Sequence, residues 1–230
     1  MIKKLVETYI NKSKNKEFSF DKNINNSLLY CFVFEKLIAL IRSIKFLHIK
    51  RRGKLLFFGK NVTLFYKKNI HFGNNVNIGN NVKISSLGKK RLEIKDNVTI
   101  GSFSQIITST SFNYIGEYII IEENVGMGEF AYIGGGGGTI IGANTIIGQY
   151  FSVHPENHIY SDKSTLIRQQ GVTRKGVKVG KNCWIGSKVT ILDGVAIGDN
   201  CVIAAGSVVT KSFSNNNLIA GVPAKVLKKL

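Results

Sequence analysis

The fold is decided by residues 179–214, which read VGKNCW, IGSKVT, ILDGVA, IGDNCV, IAAGSV and VTKSFS. An aliphatic residue opens each group of six, at positions 179, 185, 191, 197, 203 and 209. A helix would repeat every 3.6 residues and a flat strand every 2, so neither explains a period of six. A short strand followed by a turn, repeated in sequence, does explain it.

Three such hexapeptides form one coil of a three-sided prism, with the first and fifth residues of each pointing inward. Successive coils of parallel strands stack about 4.8 Å apart and bury their inner faces against one another. Glycine follows the aliphatic residue at 180, 186 and 198, where we expect a turn that side chains would crowd. Cys183 and Cys201 are eighteen residues apart, so we expect them to stack inside the prism as small fillers rather than as a redox pair.

The same spacing recurs upstream with interruptions that indicate loops. The expected inward residues there are Phe72, Ile78, Ile84, Ile94, Ile100, Ile106, Ile121, Met127, Ile133, Ile141, Ile147 and Val153. The predicted organisation is an N-terminal helical segment (1–52), a β-helix (53–213) with a protruding loop (154–176), and a C-terminal tail (214–230).

Composition limits the classes of function. The chain has 230 residues, 43% of them hydrophobic, which excludes wholesale disorder. Three cysteines do not make a disulfide framework and favour a reducing compartment, so we expect a cytoplasmic protein. The net charge of +18 suits phosphorylated cofactors, acidic glycans or a membrane surface. No nucleic-acid-binding motif accompanies it, so we predict no nucleic-acid partner.

Residues 28–49 form the most apolar segment. Glu35, Lys36, Arg42 and Lys45 interrupt it, so we do not expect it to span a membrane. No secretory signal pattern precedes it. Two interpretations stay open: a helix that caps the prism, or an interfacial helix that uses residues 28–52 for peripheral association with the inner face of an anionic membrane.

The stretch VKVGKNCWIGSKVTILDGVAIGDNCVIAAGSVVTKSF (177–213), followed by LIAGVPAKVLKKL (218–230), resembles the hexapeptide-repeat acyltransferases. It is most similar to galactoside, maltose and bacterial surface-polysaccharide O-acetyltransferases, including sialic-acid-type enzymes. The resemblance implies an all-β fold, the left-handed parallel β-helix, and a homotrimer with active sites between prisms. It also implies acetyl-CoA as co-substrate, a saccharide acceptor that is anionic in some enzymes, and no required metal.

Transfer of an acetyl group to a sugar hydroxyl needs a base that takes the hydroxyl proton, and histidine is suited to this role. The chain has His48, His71, His154 and His158, of which the last two lie in the loop sequence SVHPENHIYSD. The resemblance implies that His158 is the general base. His154 remains the alternative, because it precedes a proline as in the maltose and galactoside enzymes.

The resemblance also assigns binding residues. For the acceptor, the similarity of residues 166–180 to capsule and sialic-acid O-acetyltransferases points to Arg168, Arg174 and Lys175 as groups that attract an anionic sugar. Asn157, beside the candidate base, is expected to bond the acceptor or the oxyanion or to serve only the turn, and Trp184 is a further candidate for the acceptor. Trp184 should point outward, where it would contact the sugar, the pantetheine arm or a neighbouring subunit. The expected cofactor-binding residues are Trp184, Gly186, Ala204, Ala205, Ser207, Thr210, Lys211, Pro223, Ala224, Lys225 and Lys228.

Several alternatives share these features. An antibiotic O-acetyltransferase and an N-acyltransferase of amino-sugar nucleotides would have the same fold. A zinc-dependent carbonic anhydrase would need three well-spaced histidines, which the sequence does not clearly provide, and a non-catalytic scaffold would not bind coenzyme A. The run Gly134–Gly138 lacks the lysine and hydroxyl residue of a phosphate-binding loop, so we interpret it as a flexible corner of a coil.

Overall fold

The computed structural model describes residues 2–14, 17–49 and 51–230 and shows a left-handed parallel β-helix preceded by two helices. The helices are α1 (Ile2–Lys14) and α2 (Asn26–Ser43), and 3₁₀ turns cover Ile44–Phe46, Lys67–Asn69 and Ile167–Gln169. The strands are β1 (Phe57–Phe58), β2 (Thr63–Phe65), β3 (Ile70–Phe72), β4 (Asn77–Ile78), β5 (Lys83–Ser85), β6 (Leu92–Ile94), β7 (Thr99–Ile100), β8 (Gln105–Ile107), β9 (Ile119–Ile121), β10 (Gly126–Met127), β11 (Tyr132–Gly134), β12 (Thr139–Ile141), β13 (Ile146–Ile147), β14 (Ser152–His154), β15 (Asn157–His158), β16 (Val172–Thr173), β17 (Val177–Val179), β18 (Trp184–Ile185), β19 (Thr190–Leu192), β20 (Ala196–Ile197), β21 (Val202–Ile203), β22 (Val208–Val209), β23 (Asn217–Gly221) and β24 (Ala224–Lys229).

Three sheets form the sides of the prism. The first face has the order β1-β4-β7-β10-β13-β18-β21-β23-β24, the second β2-β5-β8-β11-β14-β19-β22, and the third β3-β6-β9-β12-β17-β20. Neighbouring strands within a face are parallel, apart from the antiparallel pair β23–β24. The strands β15 and β16 form a separate antiparallel hairpin that projects from the prism.

The core contains all the residues that open the six-residue repeats named above, together with others such as Phe46, Ile49 and Phe58 near the N-terminal end. The six aliphatic residues from Val179 to Val209 are each at most 2% exposed, and the twelve upstream residues are also buried. Cys183 and Cys201 are buried free thiols on adjacent coils, since Trp184 pairs with Val202. Burial is the largest effect on Cys183 and raises the pKa of its thiol to about 11, so it is protonated at neutral pH.

Asparagine, not glycine, makes the turn at one corner, and this corrects the expectation from sequence. Asn97, Asn124, Asn144 and others adopt the left-handed conformation, with φ of 59°, 60° and 60° in these three. Their side chains form a ladder in which Asn97 Nδ2 donates to Asn124 Oδ1 (3.1 Å) and Asn124 Nδ2 to Asn144 Oδ1 (3.0 Å). The adjacent glycines allow the backbones of neighbouring coils to approach closely. A Cβ on Gly142 would lie 2.3 Å from the Gly180 carbonyl oxygen.

The N-terminal helix α2 packs against β1, as the capping interpretation expects. Asn25 caps the helix by accepting a hydrogen bond from the Leu28 amide (2.9 Å). Lys36 bonds Asn77 and lies 5.1 Å from the centroid of the Phe57 ring, which ties the helix to the first face. No described helix is both long and apolar enough to cross a bilayer.

The β-helix continues past residue 213, where the sequence placed its end. Strand β23 pairs in parallel with β21, through Val202 with Leu218 and Ile203 with Ile219. The chain then reverses, and β24 returns antiparallel along β23. The expected C-terminal tail is therefore a β-hairpin that completes the first face.

Candidate active site

A cleft of about 290 Å³ lies where strands of the second face end and the chain turns toward the third face. Both loop histidines line it, which places the two candidate bases of the sequence analysis in one site. The lining residues are Ile107, Thr108, Ser109, Thr110, Ser111, Tyr132, Gly134, Gly135, Gly136, His154, Pro155, Glu156, His158 and Arg174.

His154 is the last residue of β14, and its ring lies on the outside of the second face. The imidazole stacks on the ring of Tyr132 from the coil below, with centroids 5.4 Å apart and planes at 22°. Burial lowers the pKa of His154, while the Glu156 carboxylate opposes this by raising it. The ring is therefore neutral at neutral pH and able to accept a proton.

His158 lies on the projecting hairpin. Its strand β15 pairs with β16, with His158 opposite Val172 and Asn157 opposite Thr173. The side chains of Asn157 and His158 are exposed. Within residues 2–14, 17–49 and 51–230, neither His154 nor His158 makes a hydrogen bond or ion pair through its ring, so both imidazoles keep their nitrogens available.

We predict that His154 titrates below 6.5 and that Glu156→Gln lowers its midpoint further. The first shift follows from burial of the ring, and the second from removal of a carboxylate that favours the imidazolium. NMR titration of the His154 ring protons measures both values. A midpoint at or above 6.5, or an upward shift in Glu156→Gln, would contradict this description of the cleft.

Arg174 clamps the loops around the cleft. Its Nε donates to Glu156 Oε2 (3.0 Å), its Nη1 to the Ile115 carbonyl (2.9 Å) and its Nη2 to the Tyr114 carbonyl (3.0 Å). All three guanidinium nitrogens of Arg174 thus have protein partners in this conformation, and a role in attracting an anionic sugar stays a prediction. Arg168, by contrast, is exposed in a 3₁₀ turn of the hairpin.

The two carboxylates near the histidines in sequence already have other partners. Glu156 pairs with Arg174. Asp162 accepts hydrogen bonds from the Ser164 hydroxyl (2.6 Å), the Ser164 amide (2.8 Å) and the Thr165 hydroxyl (2.7 Å). The Ser164 hydroxyl and these further bonds lower the pKa of Asp162 to about 2. Among the described residues, neither carboxylate makes a hydrogen bond to an imidazole.

The glycine run 134–138 forms the crowded corner of the coil below the histidines. A Cβ on Gly136 would lie 2.3 Å from Glu156 Oε2, and one on Gly137 would lie 2.5 Å from the Pro155 carbonyl oxygen. The run is a corner, as expected, but it serves close packing against Pro155 and Glu156 rather than flexibility. The missing side chains leave room for Pro155 and Glu156 to approach.

Most residues expected to bind cofactor lie away from this cleft in one protomer. Trp184, 61% exposed, is on the outside of the first face. Gly186, Ala204 and Ala205 lie at the corner between the first and second faces, and Pro223, Lys225 and Lys228 belong to the C-terminal hairpin. Thr210 and Lys211 follow β22 on the same edge as the cleft, two coils above β14.

Ser207 and Ala224 are each 1% exposed, so any cofactor contact at these two positions would have to come from main-chain groups in this protomer. The physical reason is that Ser207 occupies an inward position of the repeat, where its hydroxyl donates to the Ala204 carbonyl (2.7 Å). Ala224 packs in the core cluster of the prism.

Sequence reasoning missed Tyr132 and the loop 108–111. Tyr132 lies under His154, and burial, followed by the Glu156 charge, raises its pKa. Thr108 is 1% exposed, and its hydroxyl has no partner among the described residues. These residues come from coils well upstream of the histidines, and no local motif marks them. Among the described residues, no group of three or more His, Cys, Asp or Glu side chains is placed to hold a metal ion.

Comparison with known proteins gives matches to the repeat and to the fold. Residues 176–211 match the family model described as the hexapeptide repeat of succinyl-transferase. The chain is 31% identical over 118 residues to WbbJ of Escherichia coli K12, named a lipopolysaccharide biosynthesis O-acetyl transferase, covering 48% of this chain and 60% of WbbJ. It is 52% identical over 54 residues to the galactoside O-acetyltransferase of the same organism, covering 24% and 27% of the two chains.

Among solved structures, the chain resembles AntD, an N-acyltransferase from Bacillus cereus, crystallised with dTDP and 3-hydroxybutyryl-CoA. The TM-score is 0.56 at 18% identity, covering 82% of this chain and 87% of AntD. This likeness concerns the fold. The matched regions span 60% or less of the two E. coli relatives.

Proposed function

We propose that this chain, a hexapeptide-repeat protein with the left-handed β-helix fold, transfers the acetyl group of acetyl-CoA to a hydroxyl of a bacterial surface saccharide or its precursor. The observation that carries the proposal is the cleft with two imidazoles, His154 and His158, whose ring nitrogens make no hydrogen bond within the described residues. It occurs in a chain whose relatives include proteins named for O-acetyl transfer to lipopolysaccharide and galactoside.

In the proposed mechanism, His158 accepts the proton of the acceptor hydroxyl as its oxygen attacks the thioester carbonyl. The tetrahedral intermediate then expels the coenzyme A thiolate, and the imidazolium returns the proton to sulfur. The C–O bond that forms replaces the C–S bond that breaks, so no covalent acetyl-enzyme is needed. The thiols of the repeat, Cys183 and Cys201, are both buried, and burial raises the pKa of Cys183 to about 11, which keeps it protonated.

Arg168 and Asn157 are the hairpin groups that we propose for acceptor contacts. Both are exposed; Asn157 precedes His158 in β15, and Arg168 lies in the 3₁₀ turn between β15 and β16. Arg168 carries no ion pair in the described part of the chain, so its guanidinium is available for a carboxylate or phosphate on the acceptor. Trp184 could stack on the sugar ring or flank the pantetheine arm.

We propose a homotrimer in which the first face of one copy lies beside the cleft of the next. The first face carries exposed Ile146 paired in register with exposed Trp184, an apolar pair that association would cover. In one protomer several expected cofactor-binding residues lie away from the histidine cleft. Association would bring those of one copy toward the cleft of its neighbour; they are Trp184, Gly186, Ala204 and Ala205. The free thiols fit a reducing compartment, and we place the reaction in the cytoplasm.

The test is acetyl transfer from labelled acetyl-CoA to a panel of surface glycans, amino-sugar nucleotides and hydroxylated antibiotics. We expect the highest kcat/KM with a glycan and a product that is an ester, which hydroxylamine cleaves. A hydroxylamine-stable amide would instead identify an N-acyltransferase, and preference for an antibiotic would identify a xenobiotic-modifying enzyme. Absence of coenzyme A binding would contradict an enzymatic role.

A further inference from the structure

An apolar cavity of about 750 Å³ lies between α1, α2 and the first coils of the prism, away from the histidine cleft. Its walls include Tyr9, Phe18, Phe32, Val33, Leu37 and Phe57, and it shares no lining residue with the cleft. This volume is within the range of pockets that hold small ligands. The lining is mainly apolar, and its polar members are Glu17, Lys36, Asn75, Asn77 and Thr99. Such a lining suits a hydrocarbon chain better than a sugar or a nucleotide.

The helix α2 also presents large apolar side chains to solvent beside this cavity. Leu28, Tyr30, Phe34 and Ile41 are 54%, 58%, 63% and 65% exposed. Apolar side chains on the outside of a terminal helix are costly in water unless another apolar phase covers them. The helix is too polar to cross a bilayer, so this surface suits contact with the boundary of one.

The net charge of the N-terminal segment, residues 1–52, indicates what covers the apolar surface of α2. Residues 1–52 contain twelve Lys and Arg against four Asp and Glu. A second copy of this chain would bring the same positive segment, so electrostatic repulsion disfavours self-association through α2. An anionic phospholipid bilayer offers both the negative charge and the apolar interior.

We propose that the α1–α2 segment docks on an anionic phospholipid membrane and that the cavity between these helices and β1 receives an acyl chain of the lipid. The exposed apolar residues of α2 enter the headgroup boundary, and the basic residues around them contact phosphate. The cap on the prism thereby becomes a membrane anchor that would place the β-helix beside lipid-linked molecules. This inference does not depend on the proposed acetyl transfer.

Vesicle co-sedimentation of the full-length protein, without acetyl-CoA or acceptor, tests the docking. We expect binding to vesicles containing phosphatidylglycerol and at least about tenfold weaker binding to pure phosphatidylcholine. Phe34→Glu should weaken binding at least about tenfold, since it removes an inserting ring and adds a negative charge. The matched control is Phe112→Glu, at an exposed ring on the prism, 74% accessible, which should bind like the unmodified protein.

Unchanged binding by Phe34→Glu, or equal binding to both vesicle types, would overturn the docking. The docking would also be overturned if the unmodified protein bound no vesicles and Phe34→Glu changed the mass of the oligomer. That result would show that a second copy of the chain, and not a membrane, covers the apolar surface of α2. Circular dichroism of both variants shows whether the fold is retained. Phe34→Lys provides a second variant, in which the basic charge should recover part of the lost binding.

Occupation of the cavity is tested with a single-tryptophan reporter. Trp184 is the only tryptophan, so Leu37→Trp in a Trp184→Phe background places one indole at the cavity wall. Phosphatidylglycerol brominated on its acyl chains should quench this indole more strongly than one placed by Phe112→Trp in the same background. Equal quenching of the two reporters would overturn the acyl-chain assignment.

Discussion

Replacing His158 with alanine should lower kcat/KM for acetyl transfer at least about a hundredfold, the loss expected when a general base is removed. The imidazole lies on an exposed hairpin, so its loss should leave the β-helix intact. Release of coenzyme A, followed with a thiol reagent on the best glycan acceptor, measures the effect. Thermal unfolding of the variant should match that of the unmodified protein.

The matched variant is His154→Ala, because both imidazoles line the same cleft. His154 stacks on Tyr132 and lies beside Glu156, so its removal should disturb the wall of the site and reduce activity less than loss of the base. Near-normal turnover in His158→Ala with a collapse in His154→Ala would transfer the base assignment to His154. Loss of function in both variants with altered unfolding would indicate damage to the cleft instead.

The second large effect concerns stability: Gly142→Ala should lower the free energy of unfolding by about 3 kcal/mol, the upper part of the usual range for overpacking. A Cβ at this position would lie 2.3 Å from the Gly180 carbonyl oxygen and 2.4 Å from its carbonyl carbon. Backbone atoms of the next coil cannot move aside without disturbing the stack. Denaturant unfolding followed by circular dichroism measures the change.

Gly126 provides the control, because it lies in strand β10 of the first face and a Cβ there meets nothing within 4 Å. Gly126→Ala should leave stability unchanged or raise it slightly, since alanine restricts the unfolded chain more than glycine does. If the two substitutions had equal effects, close approach between coils would not explain the glycines of the repeat.

The architecture could be predicted from sequence because its determinant is local and periodic. Ile185, Ile191 and Ile197 are buried because each opens a hexapeptide and faces the interior of the prism. Each repeat therefore confirms the register of the next. The handedness could not be obtained from periodicity and came from the resemblance. The left-handed asparagines were also missed, although Asn144, Asn182 and Asn200 each stand three residues after an inward aliphatic residue.

The site could be predicted only in part. The sequence placed both candidate bases, His154 and His158, at the start of one loop, and in the structure both line one cleft, His154 from the end of β14 and His158 from the hairpin. The Arg174 clamp joins residues about sixty positions apart along the chain, and Tyr132 reaches His154 from the coil below. Such contacts depend on how loops of different length stack on one edge, and the sequence period contains no information about this.

A crystal structure with coenzyme A and a glycan acceptor bound tests the central claim most directly. We predict that the His158 imidazole lies within hydrogen-bond distance of the acceptor hydroxyl and beside the coenzyme A sulfur, in a cleft that a neighbouring copy completes. Coenzyme A bound elsewhere on the β-helix, or a sulfur that faces neither histidine, would contradict the account.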